Sequence, residues 1–497
     1  MNKTWLFLFV PILLWPIVSD AATKYVSPSG VEVWANCTTS ASPCAVSTAR
    51  TNAATGDTIL FVDGTYTGGL DPNTNGSCAK LSDADSTKIL WKAEHQYLAI
   101  LTGNNAVITT SNVFSDNDCN IIDGFTIQIP DQATSTEAIH VSGSKNEIRN
   151  NLITYTGTLV PTTGFAHADA VVIYGLTWVH HNTITHATNG VYILGNGGAT
   201  LPHASIVEYN TISLFDSGDP EDRDCFHGAK NSSVDADYTG AEIRYNTCSG
   251  WYDDAVDLLS INNVKVHHNT FTNPIPSDGG HGVCLKPGYA SVGTIMYANI
   301  CTGIAPLAYA IDAQGATFAQ IYGNVIIGGQ YGIFLNPSTG TGSNNTFTNN
   351  TIIADTWAVY LANATSTGTV IRNNILSGGS GVDIFTTATG VVTGQYNMML
   401  HSKTSVGDGT YTGANDLVAD PLFVSASDYR LQSTSPARRA GIPIGACIDV
   451  RGRACYPDHP DIGAYQASSG DPATTRTAAA TRSAATTRTA ATTRTPR

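Results

Sequence analysis

Short segments in which apolar and polar residues alternate recur along the middle of the chain. Each starts with a small residue and continues with an apolar residue, any residue and a second apolar residue. The clearest are AVVIY from Ala170, GVYIL from Gly190, AVDLL from Ala255, GVCLK from Gly282, GIFLN from Gly332 and AVYLA from Ala358. Alternate side chains of a β-strand point to opposite faces, so the pattern predicts short strands with one buried face.

Two of these predicted strands carry charged residues on the face that points away from the core. In AVDLL the outward position between two buried residues is Asp257, and in GVCLK the outward positions are Cys284 and Lys286. The apolar residues on either side of them are expected to face the core. The pattern therefore predicts an aspartate and a lysine on one outer surface.

A second pattern repeats an asparagine in the same apolar frame, as in IRNNLIT, VHHNTIT and IRYNTCS, in steps of 23 to 36 residues. The members are Asn151, Asn182, Asn210, Asn246, Asn269, Asn299, Asn324, Asn350 and Asn374. A repeat of this length is typical of a solenoid, whose stacked coils bury a continuous core. We expect the asparagines to occupy equivalent turns and to hydrogen-bond to one another along the stack.

The composition of the repeats indicates which solenoid they build. A leucine-rich repeat needs an LxxLxL frame and a helical stretch, whereas these repeats are rich in Val, Ile, Thr, Tyr, Gly and Asn and alternate with period two. The sequence therefore predicts an all-β fold, a right-handed parallel β-helix with about ten coils.

The composition changes before and after the repeats, which divides the chain into five parts. In the last part arginines recur every six residues among Ala and Thr, and so little apolar surface cannot pack into a core. The predicted parts are a signal peptide at 1–21, an N-terminal cap with the first coils at 22–120, the central β-helix with the candidate site at 121–400, a closing segment at 401–467 and a disordered tail at 468–497.

The N-terminus predicts export. A basic start, an apolar run and the small residues around Ser19 and Ala21 are arranged as in a signal peptide, and the run is too short to span a bilayer. No later segment is long and apolar enough to do so. We therefore expect a secreted, monomeric protein with no membrane span.

The cysteines fit the same compartment. There are ten, none in a zinc-type spacing, so all can pair in an oxidising environment, and Cys37 with Cys44 and Cys447 with Cys455 are local candidates. Sequons for N-glycosylation, usable only in a source that glycosylates exported proteins, begin at Asn36, Asn75, Asn231, Asn344, Asn349 and Asn363.

The charge of the chain excludes one class of partner. The net charge is −14, and the last 27 residues hold five of the 25 basic and one of the 39 acidic residues, which leaves 20 basic and 38 acidic residues before them. A nucleic-acid-binding surface is basic, so we expect no nucleic-acid partner. An anionic ligand would need something other than bulk charge to attract it.

Polar residues stand directly before several predicted strands. Because neighbouring strands lie about 5 Å apart, they are expected to form a column on one side of the solenoid. The members are Asp169, Asn189, Asp224, Asp254 and His281. With Asp253 and Asp257 beside the column, four carboxylates crowd together, and they repel one another unless a cation holds them. Hard oxygen ligands on a turn suit Ca²⁺ better than zinc, although an exposed, solvated acidic turn explains the same pattern.

Two long segments adjoin this cluster, SLFDSGDPEDR before Asp224 and NPIPSDGG before His281. Long loops on one side of a solenoid usually wall a groove, which favours a functional interpretation of the cluster.

The succession DCF, WYDDAVDL and GHGVCLKPG resembles the family 9 polysaccharide lyases of the pectate lyase superfamily. That family has an Asp-x-aromatic coil, a coil with two adjacent aspartates and a third three residues on, and a later glycine-rich coil with a lysine. By this resemblance Asp224, Asp253, Asp254 and Asp257 match the calcium ligands, and Lys286 matches the general base.

The lysine departs from the family's pattern in one respect. The family's lysine follows its glycine by two residues, whereas Lys286 follows Gly282 by four, and Cys284 stands in the position expected for the lysine. Two residues along a strand keep the side chain outward but move it about 7 Å. Either a local irregularity restores the register, or Lys286 is not the equivalent residue.

The resemblance implies a calcium-dependent lyase that cleaves a uronic-acid polymer by β-elimination. Removal of the proton α to a carboxylate builds up negative charge, which Ca²⁺ would offset while also letting an acidic protein bind an acidic polysaccharide. The base must be a neutral amine, and a nearby cation would lower the pKa of a lysine. His281, His227 and Asp169 are candidates for substrate contact, although solvation explains each equally well.

Other functions fit parts of the same pattern. The polygalacturonases, glycoside hydrolases of family 28, have an Asp, an Asp pair and a Gly-His-Gly in the order of Asp224, Asp253-Asp254 and His281, but the Arg-Ile-Lys expected next is missing. Alginate and chondroitin lyases of the related β-helix family would need a Lys followed by an Arg-His-Gly coil, which we do not find. A non-catalytic carbohydrate-binding surface protein would need no base, so substitution of Lys286 separates it from a lyase.

Overall fold

In the computed structural model of the protein, three long parallel β-sheets, here called sheets A, B and C, wind around a continuous apolar core. Residues 1–20 of the predicted signal peptide and the whole predicted tail lie outside the residues that the structure describes. The described residues are 21–67, 70–72, 75–102, 108–110, 118–129, 136–155, 168–195, 204–214, 223–230, 236–237, 239–275, 282–288, 290–313, 315–335, 342–361, 367–386, 392–401, 411–445 and 447–467.

Sheet A is the longest of the three, and its described strands pair in parallel in the order of the chain. The strands are Thr23–Val26, Thr58–Phe61, Ile89–Ala93, Asn120–Asp123, Asn146–Arg149, Thr177–His180, Ile206–Glu208, Glu242–Arg244, Lys265–His267, Ile295–Tyr297, Gln320–Tyr322, Thr346–Thr348, Val370–Arg372, Val392–Gln395 and Tyr411–Ala414.

Sheet B follows sheet A in each coil and is separated from it by a short turn. Its described strands are Gly64–Thr67, Ala99–Thr102, Thr126–Ile129, Leu152–Tyr155, Thr183–Thr185, Thr211–Ser213, Thr247–Ser249, Thr270–Thr272, Ile300–Ile304, Val325–Gly328, Thr351–Ala354, Ile375–Gly378, Met398–Met399 and Leu417–Val418.

Sheet C completes the coil and carries the alternating segments found in the sequence. Its described strands are Ile108–Thr110, Thr136–Val141, Ala168–Ile173, Asn189–Gly195, Phe226–Lys230, Asp254–Leu259, Val283–Lys286, Tyr309–Asp312, Tyr331–Leu335, Trp357–Leu361 and Ile384–Thr386. These eleven described strands agree with the expected number of coils, and sheets A and B extend a few strands further. The fold is therefore the predicted right-handed parallel β-helix.

The remaining described elements are short. They comprise the helix Val46–Asn52, the 3₁₀ turns Trp34–Asn36 and Asp85–Thr87, a parallel pair of Ala236–Asp237 with Ile261–Asn262, and an antiparallel pair of Phe423–Ser425 with Asp428–Leu431. None of the described helices has the length and apolar character needed to cross a lipid bilayer.

The core is formed by inward side chains that occupy equivalent positions in successive coils and pack on one another. On sheet C, for example, Val171, Val191, Phe226, Val256 and Leu285 are in register and all buried. Each coil buries its apolar face only against the coils above and below it, so the stack is stabilised collectively by the hydrophobic effect.

The asparagine ladder is confirmed. Each ladder Nδ2 donates to the Oδ1 of the next asparagine at 3.0 Å, from Asn151 through Asn374, and the series extends to Asn397. The same Oδ1 also accepts the backbone N–H of the asparagine below, as in Asn210 N to Asn246 Oδ1 at 2.9 Å. These side chains are buried, and each satisfies backbone groups at the turn between sheets A and B.

The residue before each ladder asparagine has a positive φ. From Asn150 to Tyr396 the angle is close to 55° in each coil, except at Gly323, where it is 65°. The left-handed conformation turns the chain sharply from sheet A into sheet B, and it costs a residue with a Cβ about 1 kcal/mol or more. The ladder hydrogen bonds offset that cost, so the left-handed turn and the asparagine ladder depend on each other.

The cysteines pair completely, as expected. Both local pairs are confirmed, and the described residues contain no free cysteine. The other bonds, Cys78–Cys119, Cys225–Cys248 and Cys284–Cys301, join neighbouring turns or coils.

The sequons differ in accessibility. Asn36, Asn75 and Asn344 are exposed. Asn349 is buried and donates to Asp461 O, so its amide is not accessible in the folded chain. Asn231 and Asn363 lie outside the described residues.

Candidate functional site

The outer face of sheet C carries two adjacent columns of side chains. In the first, strand pairing brings successive outward residues next to each other over nine coils, with Asp312 placed beside Lys286 by the pairing of Leu285 with Ile311. The column is Val172, Tyr192, His227, Asp257, Lys286, Asp312, Phe334, Tyr360 and Phe385.

The second column lies at the start of the same strands and contains much of the predicted polar column. Asn189 Nδ2 donates to Asp169 Oδ1 at 2.8 Å, and Asn189 Oδ1 accepts the backbone N–H of Asp224 at 2.9 Å. Asp224 Oδ1 in turn accepts the backbone N–H of Asp254 at 2.8 Å. Asp169 is therefore connected to the aspartates through Asn189.

The next member of this column is not the one expected. Strand pairing places Val283 directly beside Asp254, so the expectation that His281 holds this position is wrong. His281 itself lies outside the described residues. The backbone N–H groups of Gly282 and Val283 both donate to Asp253 O, at 2.6 and 2.9 Å, and Gly282 has a φ of +84°. The chain therefore turns at Gly282, and the strand begins only at Val283.

This late start decides the position of Lys286. Val283 lies opposite Asp254 and Lys286 lies opposite Asp257, two residues further along than the repeat frame suggests. Lys286 therefore lies directly beside Asp257 on the neighbouring strand. The same register turns Cys284 inward, where it is fully buried and bonded to Cys301, so the expectation of an outward Cys284 is wrong.

Four aspartates form the acidic cluster, namely Asp224, Asp253, Asp254 and Asp257. Carboxylate oxygens of the first three lie within 4.8 Å of one another, and Asp224 and Asp257 form a second such group with His227. Asp224, Asp254 and Asp257 are at most 3% exposed, so the cluster is not the solvated turn that the alternative interpretation requires.

Lys286 bridges two members of the acidic cluster. Its Nζ donates to Asp254 Oδ2 at 2.7 Å and to Asp257 Oδ2 at 2.9 Å, with 17% of the side chain exposed. Burial alone would lower the pKa of Lys286, but the two carboxylates outweigh it and raise the pKa well above its ordinary value. In this arrangement the lysine is an ammonium counter-ion.

His227 occupies the other side of the cluster. Its Nδ1 lies 2.7 Å from Asp224 Oδ2, and its ring stacks on Tyr192 with 4.3 Å between centroids and 3° between planes. The aspartate and the tyrosine together fix the orientation of the imidazole. His227 also pairs in register with Asp257, so it reaches the same surface as Lys286.

Burial and mutual repulsion oppose ionisation of the cluster. The pKa of Asp224 is raised to about 7, chiefly by burial and also by the charges of Asp253 and Asp257, against the lowering effect of His227. A cation bound to these carboxylates would lower the cost of keeping them ionised.

The residues of the acidic cluster fit Ca²⁺. The Oδ1 atoms of Asp254 and Asp257 are buried and accept no hydrogen bond within the described part of the chain. An unsatisfied buried carboxylate oxygen is costly, and it is the hard donor that Ca²⁺ prefers. Asp224 and Asp253 would complete an all-oxygen set.

The structure brings together Asp224, Asp253, Asp254, Asp257, Lys286 and His227, and it connects Asp169 to them. Sequence reasoning missed Tyr192 and Asp312. Both stand in the outward slot of alternating segments, GVYIL and AYAID, so the period-two pattern could have identified them.

A family described as "Right handed beta helix region" matches residues 225–397, which include the acidic cluster apart from Asp224 and also include Lys286. The match covers the coils on which the site is built, and it agrees with the observed fold. No curated protein sequence matches the chain.

Solved structures share the fold at low identity. A structure described as a new PL6 alginate lyase complex with trisaccharide has a TM-score of 0.55 and 13% identity, covering 90% of this chain and 95% of the other. A complex of XylC with xylose has a TM-score of 0.54 and 10% identity, covering 89% and 98%. The pectate lyase Pel9A is less similar, with a TM-score of 0.37 and 16% identity, covering 90% of this chain and 96% of the other. The chain therefore shares the β-helix fold of these proteins.

Proposed function

We propose that this protein is a secreted, calcium-dependent polysaccharide lyase that cleaves a uronic-acid polymer by β-elimination. The observation that carries the proposal is the contact of Lys286 with Asp254 and Asp257 on the outer face of sheet C, inside a buried cluster of four carboxylates. A largely buried amine inside a cluster of buried carboxylates supports a functional site, because burial of such charges is costly and adds little to the stability of a fold.

Lys286 would act as the base. Its neutral amine would take the proton from the carbon α to the uronate carboxylate, and the electron pair would form a carbon–carbon double bond. The bond from the β carbon to the glycosidic oxygen would break, and the leaving oxygen would take a proton from water. The step requires that Lys286 give up its ion pairs with Asp254 and Asp257, since a protonated amine cannot accept a proton.

Asp224, Asp253, Asp254 and Asp257 would hold Ca²⁺. When bound, the ion supplies positive charge that neutralises the aspartates and attracts the carboxylate of the polymer. Asp224 orients His227, and Asn189 links Asp224 to Asp169. The two candidates for substrate contact, His227 and Asp169, would therefore lie on one surface.

Export and an extracellular, monomeric state belong to the same proposal. The five disulfide bonds support an oxidising compartment, since they use all ten cysteines of the chain. The acidic body of the protein supports a bridging cation as the means by which an acidic polysaccharide binds.

A non-catalytic carbohydrate-binding protein is the second candidate, and one observation favours it. Lys286 in its present ion pairs is an acid, which suits a counter-ion better than a base. A polygalacturonase-type hydrolase is less well supported. Its two carboxyl groups would have to flank a bond, whereas these are packed against one another.

The test is an absorbance assay for the unsaturated product with purified protein and a panel of uronans, with Ca²⁺ or with a chelator. We expect a calcium-dependent rise that Lys286→Ala abolishes. Lys265→Ala is the matched control, because Lys265 is a half-exposed lysine of sheet A and should leave the rate unchanged.

The other possible results would assign the protein to a different functional class. New reducing ends without ultraviolet absorbance would indicate a hydrolase. Binding of a uronan that survives Lys286→Ala, without either product, would indicate a carbohydrate-binding protein.

A further inference from the structure

The outer face of sheet C changes character on the two sides of the acidic cluster. On the N-terminal side the second column is polar, with Glu137, Asp169 and Asn189 in register. On the C-terminal side, six aromatic residues follow one another from the coil directly after Lys286. We call this group the aromatic rib, and it consists of Tyr309, Tyr331, Phe334, Trp357, Tyr360 and Phe385.

The rings of the aromatic rib form one continuous stack. The centroid distances are 4.0 Å for Tyr309 with Phe334, 5.1 Å for Tyr331 with Trp357, and 4.1 Å for Trp357 with Phe385, and all three pairs are nearly parallel. The ring faces therefore cover one another. Apart from Phe334, the rings are half-buried, so an uncharged, largely apolar strip remains on the surface.

The aromatic rib lies in line with the candidate site. Tyr309 begins the strand that follows Val283–Lys286, and this strand is the first of the four successive strands that carry the rib. At about 5 Å between strands, it extends roughly 15 Å along the solenoid. A polymer bound at the acidic cluster and continuing along the same face would meet the rib next.

The charges on the strands of the aromatic rib disfavour an anionic occupant. The described residues of its four strands and of the turns leading into them include no lysine, arginine or histidine, whereas Asp312 and Asp355 lie beside the rings. A uronate carboxylate here would lose hydration next to apolar rings, and the described residues of these strands and turns offer no lysine, arginine or histidine to pair with it. An uncharged sugar carrying methyl groups would instead bury apolar surface.

We infer that the polymer is charged where it meets the acidic cluster and uncharged where it meets the aromatic rib. The rib receives sugar residues whose carboxyl groups are esterified, or which carry methyl groups in place of charge. This inference rests on the proposed function for the identity of the polymer, and it deepens that proposal by naming a substrate class, a partly esterified or mixed uronan.

The test is a binding measurement that does not depend on turnover. Affinity electrophoresis would compare polygalacturonate with the same polymer partly methyl-esterified, and alginate with its propylene glycol ester. For at least one pair we expect tighter binding of the esterified form. Trp357→Ala should lower the affinity for that form by about tenfold while changing the affinity for the charged form less than twofold.

The control variant is Tyr209→Ala. Tyr209 is an exposed tyrosine at the turn between sheets A and B, where it stacks on Tyr245, whereas the aromatic rib lies on sheet C; its loss should therefore change neither affinity. The inference is overturned if no pair shows an ester preference, if Trp357→Ala weakens both forms equally, or if Tyr209→Ala has the same effect as Trp357→Ala. An ester preference that depends on Trp357 without any elimination product would reject the lyase and retain the assignment of the rib.

Discussion

Replacement of Lys286 by methionine tests whether the acidic cluster is a cation site without reference to activity. Methionine keeps most of the apolar length of the side chain and removes the ammonium. Asp254 and Asp257 then lose the donor that lies 2.7 and 2.9 Å away, while their side chains stay only 1% and 4% exposed.

The structure sets the expected magnitude. Removal of one partner from a buried ion pair costs about 3–5 kcal/mol, and the partial exposure of Lys286 places the cost at the lower end, about 3 kcal/mol. Ca²⁺ at a hundredfold excess over its dissociation constant adds about 2.7 kcal/mol to the free energy of unfolding. Because the lysine competes with Ca²⁺ for the same two carboxylates, the variant should gain more from Ca²⁺ than the wild type gains.

The assay is urea unfolding followed by far-ultraviolet circular dichroism, with Ca²⁺ or with a chelator. The pH should lie above 7, because burial raises the pKa of Asp224 to about 7 and the carboxylate must be ionised to bind a cation. Lys265→Met is the control. Its side chain is 43% exposed and 3.4 Å from Glu242, so the substitution should change the stability by less than about 1 kcal/mol.

Two results would refute this reasoning. If Lys286→Met is as stable as the wild type in chelator, the lysine does not neutralise the cluster. If Ca²⁺ stabilises the variant no more than the wild type, the aspartates do not bind the ion that Lys286 displaces.

Three further predictions concern the scaffold. Asn246→Ala should lower the free energy of unfolding by about 3 kcal/mol, because it leaves buried backbone groups without a partner. The control Asn52→Ala, at an exposed asparagine, should change it by less than about 0.5 kcal/mol. Urea midpoints measure both. Burial alone would raise the pKa of Glu147, but His180, Lys88 and Arg149 lower it from 4.5 to about 2. The wild type should therefore lose about 3 kcal/mol as the pH falls from 4.5 to 2, and Glu147→Gln should not show this loss in unfolding curves taken across that range. Replacement of the disulfide pair by Cys284→Ala with Cys301→Ala should lower the elimination rate more than Cys447→Ala with Cys455→Ala, because only the first pair braces the strand of Lys286.

The sequence alone was sufficient for the architecture. Each coil repeats the same alternation and the same asparagine, so the fold, the ladder and the inward and outward faces of AVDLL follow from local pattern. The crowding of Asp224, Asp253, Asp254 and Asp257 was also predictable, because three of them are close in the chain and Asp224 occupies the equivalent place in the preceding coil. Such features depend on periodicity, which a single sequence displays.

The positions that depend on register were decided only by the tertiary structure. The sequence frame aligned GVCLK with AVDLL from the first residue, but a turn at Gly282 delays the strand and moves its pairing by two residues. That shift replaces His281 by Val283, turns Cys284 inward and sets Lys286 against Asp257. For the same reason, the sequence did not predict the positive φ before each ladder asparagine or the stacking of rings in the aromatic rib. The geometry of turns and the stacking of separate coils fix such contacts, and neither is encoded in the alternation within one strand.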